Sequence, residues 1–251
     1  MTVQQRVAVV TGGGQGLGRS FCLALAEAGW AVAVVDLDLE NARAIAGKVE
    51  ASGGIAKGFH ADVSDENAVS RLAEQIEGGL GAVSVLVNNA AIFSTLSMGS
   101  YDEISLQTWK RVMDVNVTGT FLCCKEFAPR MAAAGYGKIV NISSATVFTG
   151  RPGYLHYVTS KAAVIGLTRA LASEVGPQGV RVNALAPGST ETEVERATIT
   201  REAREKMAGE TALRRVQVAE DLVGTVVFLA SEASDFVTGQ TINVDGGLAF
   251  H

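Results

Sequence analysis

Short apolar runs, each closed by turn residues, alternate along the chain with stretches whose apolar positions recur at helical spacing. The runs Arg6–Thr11, Ala31–Asp36, Ile55–His60, Ala82–Asn88, Gly137–Ser143, Gly179–Ala184 and Gln240–Val244 are rich in Val and Ile without polar alternation. That pattern predicts strands covered on both faces. Between them, Leu17–Gly29, Leu39–Ser52, Asp65–Gly79, Leu106–Ala134, Leu155–Val175 and Val218–Ser231 predict helices. Strand–helix alternation at this spacing builds right-handed βαβ units. The expected fold is a doubly wound α/β domain, a parallel seven-stranded sheet flanked by helices on both faces. Gly188–Glu210 breaks the rhythm: it is rich in Thr and Glu and has no strand pattern. Just past a strand end, it is placed to act as a substrate lid over 188–210, or as a solvated surface helix.

At 251 residues and 47% hydrophobic, the chain can fill a large core. Its length allows one large domain or two small ones on the usual ~150 residues per domain. No linker, repeat or charge block divides it, so residues 1–251 read as a single domain. No stretch approaches the ~18 apolar residues of a membrane span, and Met1–Arg6 lacks the build of a secretory signal. The net charge of -5 comes from dispersed residues, which argues against nucleic acid as a partner. Cys22, Cys123 and Cys124 form neither a disulfide framework nor a metal motif, as expected of reduced thiols in a cytoplasmic protein. Three scattered histidines, His60, His156 and His251, give no metal site.

Candidate chemistry gathers where strands end. Thr11-Gly12-Gly13-Gly14-Gln15-Gly16-Leu17-Gly18 joins the first strand to the first helix. Its glycines permit a tight turn and close approach to a pyrophosphate at the helix N-terminus, or simply a tight turn. Gly13 to Ser20 also parses as a phosphate loop one residue short, but Arg19 stands where the required Lys should be. Asp36 ends the second strand, where a carboxylate accepts both ribose hydroxyls and repels a 2′-phosphate. Leu37 and Gln15 offer that phosphate no cation, so NAD is favoured over NADP. Asp62-Val63 and Asn88-Asn89-Ala90 follow the third and fourth strands.

Tyr157 and Lys161, at i and i+4, share one face of a helix. An ammonium beside a phenol favours the phenolate, as a general acid/base requires. Ser144 precedes Tyr157 by 13 residues and ends a strand of the same array.

Together these elements resemble the short-chain dehydrogenase/reductase family. The matching stretches are TGGGQGLG at Thr11–Gly18, Asp62-Val63, Asn88-Asn89-Ala90, Asn116, Asn141–Ser144, Tyr157–Lys161, Pro187-Gly188 and Thr238–Gly247, in the family's order. The resemblance implies a Rossmann-type fold and a nicotinamide cofactor. It implies Tyr157 as the proton donor or acceptor, Lys161 on the nicotinamide ribose, Ser144 on the substrate oxygen, and Asn116 supporting a water that leads to Lys161. The cofactor would meet Gly12, Gln15, Gly16, Leu17, Gly18, Asp36, Asp62, Val63, Asn89, Ala90, Tyr157, Lys161, Pro187, Gly188, Thr190 and Thr192. Ala91 departs from the glycine frequent after Asn-Asn-Ala and narrows the space there.

Within the family two branches compete. The 3-oxoacyl carrier-protein reductases share the Val-Asp-Gly-Gly end, but they dock an acidic carrier on basic residues. Here those places read Ala132–Tyr136 and Ser173, which removes the electrostatic steering. His156-Tyr157, Arg169–Ser173 and His251 instead resemble NAD-dependent secondary-alcohol dehydrogenases of the 1-phenylethanol type. Phe93, Ser144, Ala145, Thr146, Val147, Phe148, Tyr154 and the Thr190–Val194 segment are the expected pocket walls. They are mostly apolar, which suits a hydrophobic or aromatic alcohol or ketone. A non-catalytic NAD sensor is a different class on the same fold, but such proteins typically lose the tyrosine or lysine. Small and apolar residues on several faces of Leu106–Ala134 and Leu155–Val175 predict a homotetramer, or failing that a dimer.

Overall fold

Strand β1 (Val7–Thr11) shows why the apolar runs carry no polar alternation. Val7 and Val9 enter the apolar layer on one face of the sheet, while Ala8 and Val10 enter the layer on the other. Successive side chains point to opposite faces, so a strand covered on both is apolar throughout. Strand β2 (Ala31–Asp36) divides in the same way. In the computed structural model, which describes residues 6–194 and 201–250, they are joined by β3 (Ala56–His60), β4 (Val83–Asn88), β5 (Gly137–Ile142), β6 (Val180–Pro187) and, late in the chain, Thr241–Val244. All seven pair in parallel, in the order β3-β2-β1-β4-β5-β6 and then Thr241–Val244. This is the doubly wound Rossmann-type sheet that the pattern predicts.

Helices α1 (Gly16–Glu27) and α2 (Leu39–Ala51) cover one face together with Glu220–Ala230. Helix α3 (Glu66–Leu80) covers the other face with Gly119–Ala133 and Leu155–Val175. Asp38 and Asp65 cap α2 and α3 by accepting from the second and third backbone N–H groups of each helix. Strand order reverses between β1 and β4, and a crevice opens there at the carboxyl ends of the strands, where ligands bind in such folds.

The expected helix Leu106–Ala134 is in fact three pieces: α4 (Leu106–Met113), a π-helical turn over Asp114–Thr118, and α5 (Gly119–Ala133). The apolar period survives on both sides of the wide turn, so sequence pattern does not reveal it. A one-turn helix α6 (Thr146–Thr149) precedes α7 (Leu155–Val175). Within the expected lid, Thr190–Glu191 is a short strand, β7, and α8 spans Arg201–Gly209. β7 pairs with β8 (Gln217–Val218), immediately before α9 (Glu220–Ala230); the closing sheet strand is then β9 (Thr241–Val244). Residues 195–200 of the lid lie outside the described residues. No described helix is long and apolar enough to cross a membrane.

Candidate active site

The glycine-rich turn is locked into place at the point where strand order reverses. The Asn89 side chain donates to the carbonyls of Thr11 and Gly12, and the Thr11 hydroxyl accepts from the N–H of Asn89 and of Ala90. A Cβ on Gly18 would lie 1.9 Å from the Gly12 carbonyl oxygen, so only glycine lets α1 pack this closely on the turn. Gly12 and Gly16 sit at φ of 61° and 56°, in the left-handed region. The N–H of Gly16, at the start of α1, already donates to a carboxylate: Glu193 Oε1 lies 3.0 Å away, with Arg19 Nη1 at 3.2 Å from the same oxygen. These donors therefore suit an anion, and the cradle fits a dinucleotide pyrophosphate.

Strand β5 delivers Ser144 just beyond its end. The N–H groups of Ser143 and Ala145 donate to the carbonyls of Leu185 and Pro187, which extends the pairing with β6 past Ser144. Ser143 Oγ donates to the Lys161 carbonyl, and Lys161 Nζ donates to the Ile142 carbonyl at 2.7 Å. These bonds dock α7 on the strand end. Lys161 is 3% exposed, and burial pulls its pKa down to about 8. Its Nζ lies 5.9 Å from the centroid of the Tyr157 ring, which stacks on Phe93 at 4.3 Å. Ser144 Oγ accepts from the N–H and hydroxyl of Thr146. A hydroxyl has one proton to give, and that of Ser144 has no acceptor among the described residues.

One cavity of about 1110 Å³ runs along the strand ends. Gly12, Gln15, Gly16, Leu17, Asp36, Asp62, Val63, Asn89, Ala90, Pro187, Gly188, Thr190 and Thr192 line it, together with Ser144, Tyr157 and Lys161. Of the expected substrate walls, Phe93, Ala145, Thr146 and Val194 also line it. Asp36 accepts from the N–H of Gly14 and of Asp38. A carboxylate has room for about four hydrogen bonds, which leaves capacity for two ribose hydroxyls. Partial burial works to raise the Asp62 carboxyl, but bonds from the Ser64 side chain and backbone, helped by Arg111, outweigh it and hold the group below its ordinary range.

Of the expected site residues, Gly18, Asn116, Val147, Phe148 and Tyr154 do not line the cavity, nor do Glu191 and Glu193 of the Thr190–Val194 segment. Gly18 serves the packing of α1, as above. Tyr154 is buried in a cluster with Phe93, Leu96, Val112 and Tyr157, so it backs the wall instead of forming it. Phe148 is off the lining face of α6, since Thr146 and Thr149, at i and i+3, share that face. Asn116 is fully buried in the π turn: its Oδ1 accepts from the Ile92 N–H, and its Nδ2 donates to the Ile92 carbonyl and to Ser160 Oγ. That makes it a clamp between the end of β4 and α7. His156 is buried as well, does not line the cavity, and has its pKa pulled down by burial.

Sequence reasoning missed Thr149, Arg151, Met207 and Leu248 on the cavity wall. Arg151 had a signal in its place, seven residues past Ser144 in the same strand-to-helix connection. Thr149 lies in the same connection, in α6, while Met207 and Leu248 depend on how the chain returns across the sheet. The cysteines are free and buried, and burial pushes all three thiols up, Cys124 to about 12, which leaves them unreactive.

A family model described as enoyl-(acyl carrier protein) reductase matches residues 12–249. The chain is 39% identical over 248 residues to a probable galactose dehydrogenase of Rhizobium meliloti (strain 1021), covering 98% of this chain and 96% of the relative. It is 36% identical over 247 residues to a 3-oxoacyl-[acyl-carrier-protein] reductase of Aquifex aeolicus (strain VF5), covering 98% of each. Among solved structures, a gluconate 5-dehydrogenase from Burkholderia cenocepacia J2315, in complex with NADP and tartrate, aligns with TM-score 0.91 and 35% identity over 98% of this chain and 95% of that one. With its fold, its serine–tyrosine–lysine cavity and these relatives in agreement, the chain belongs to the short-chain dehydrogenase/reductase family of nicotinamide-dependent oxidoreductases.

Proposed function

We propose that the protein is an NAD-dependent dehydrogenase/reductase that interconverts a secondary alcohol and a ketone. The observation that carries this reading is the meeting of Ser144, Tyr157 and Lys161 with the glycine-rich turn and Asp36 on one cavity. When bound, the nicotinamide supplies or accepts the hydride. Tyr157 Oη gives its proton to the carbonyl oxygen in reduction and takes it from the hydroxyl in oxidation. Ser144 donates its unused proton to the same substrate oxygen and fixes its position. The Lys161 ammonium favours the phenolate formed when Tyr157 gives up its proton. Asp36 favours NAD: it has room for two ribose hydroxyls, Leu37 beside it is 59% exposed and uncharged, and Arg43 on α2 pairs with Glu40.

The apolar wall of Ile92, Phe93, Val194, Met207 and Leu248 suits a substrate with an apolar body. A 3-oxoacyl carrier-protein reductase is the competing reading, and the Aquifex aeolicus relative supports it. Against it, Ala132–Tyr136 and Ser173 offer an acidic carrier no cation, and nearby Arg130 is paired with Glu77 and Glu126 at 2.6 Å each. The proposal extends to assembly as a homotetramer or dimer. Leu106, Phe121 and Leu155 are exposed on the helices that the sequence pattern marks as too apolar for solvent. Following NADH absorbance with a panel of secondary alcohols, ketones and an acyl-carrier thioester tests the function. Turnover of free ketones is expected, and turnover of the carrier thioester alone would establish the competing reading.

A further inference from the structure

Charge is distributed unevenly along the cavity. Among the described residues its lining carboxylates, Asp36, Asp38, Glu40 and Asp62, gather around the ends of β2 and β3, the adenosine half, while Glu193 reaches the glycine-rich turn. Among the described residues three Lys or Arg side chains line the cavity. Lys161 is engaged by the Ile142 carbonyl, and Arg111 faces Asp62 at 3.6 Å. The third, Arg151, follows α6 at the substrate end, where Gly150, at φ 61°, turns the chain. Arg151 Nη1 donates to the Met207 thioether at 3.4 Å, and the guanidinium lies 5.8 Å from the centroid of the Tyr154 ring. A thioether is a weak acceptor. Among the described residues Arg151 has no ion-pair partner.

We infer that Arg151 receives a carboxylate of the substrate, so that the alcohol/ketone couple is a hydroxy/oxo carboxylate with an apolar body. The reading rests on the proposed function and narrows its substrate class. A guanidinium presents a planar fork of donors that matches a carboxylate bidentately. A phosphate is disfavoured here because phosphate sites gather backbone N–H groups at a nest or helix start, and the helix that opens the cradle serves the other end of the cavity. Among the described residues no carboxylate lines the substrate end, so Arg151 offers an anion attraction there without an opposing charge.

The test compares kcat/KM for 3-oxo carboxylates of increasing apolar length with their methyl esters, in wild type, Arg151→Gln and Arg151→Lys. Hydrogen bonds to charged groups set the expected scale. Wild type should prefer the acid about 10- to 100-fold, Arg151→Gln should lose that preference through a raised KM for the acid alone, and Arg151→Lys should restore part of it. Equal use of acid and ester by wild type, or an equal loss on both in Arg151→Gln, overturns the inference. Binding of 3-phenylpropionate to the enzyme–NADH complex, read by NADH fluorescence, separates this from the proposed function. Binding that disappears in Arg151→Gln supports the carboxylate site even if no ketone turns over, a failure that would count against the function alone. Absent or Arg151-independent binding overturns the site.

Discussion

The Lys161 ammonium is buried and donates to the Ile142 carbonyl, yet no carboxylate pairs with it among the described residues. Burial lowers its pKa from the ordinary 10.5 to about 8. Between those values the unfolded chain binds more protons than the folded one, so folding stability rises with pH across that window. Below about pH 8 the full burial cost is present, roughly 3 kcal/mol at the usual value per pKa unit. Lys161→Met should therefore melt above the cofactor-free wild type at pH 7, with the gap closing as pH rises toward 10, while activity is lost. A melting difference that stays flat with pH would show that the ammonium costs nothing. Tyr157 makes a different prediction. Removing only its hydroxyl in Tyr157→Phe should leave NADH binding intact and lower turnover by at least ~10²-fold, the usual contribution of a general acid/base. Steady-state rates beside a fluorescence titration check both halves.

At the scale of elements, Glu193 and Val194, just past β7, reach the glycine-rich turn. Glu193 accepts from the first N–H of α1, and a Cβ on Gly16 would lie 3.2 Å from Val194. A bound pyrophosphate needs the same donor, so the Glu193 carboxylate competes with it. Glu193→Gln should tighten NADH binding about 2- to 5-fold, from the strength of a charge at a helix N-terminus. An unchanged or weaker Kd by fluorescence titration would mean that the carboxylate does not stand in the cofactor's way. The seven sheet strands and their covering helices were legible because burial on two faces imposes continuous apolar runs and burial on one imposes a helical period. β7 and β8 were not, since two residues each are too few to show any period. The convergence of Ser144, Tyr157 and Asp36 on one cavity was legible because they stand at strand ends and on a helical face. Arg151 was less legible: its place in the connection after Ser144 is a signal, but the turn at Gly150 that aims it into the cavity shows no period. Asn116 is expected as a site residue, but it lies off the cavity, and its clamp on Ile92 and Ser160 depends on the π turn.

For the whole molecule, two apolar layers hold one sheet, and the line where its strand order reverses carries the cavity. Large apolar side chains remain on the outside, Phe236 and Phe250 among them with Leu106, Phe121 and Leu155. Sedimentation at micromolar concentration should give a tetramer or dimer, and a monomer with full activity would contradict that assembly. Among the described residues that line the cavity, the carboxylates gather around the ends of β2 and β3 and Arg151 stands apart from them. The adenosine end tests the account most directly, because Asp36 stands at the end of β2 and, among the described residues, no free cation lies beside it to receive a 2′-phosphate. The deciding measurement is the ratio of kcat/KM for NADH to that for NADPH with one ketone substrate. Like-charge repulsion in a partly buried site is expected to favour NADH by roughly two decades or more. Equal use of the two cofactors, or a preference for NADPH, would contradict it.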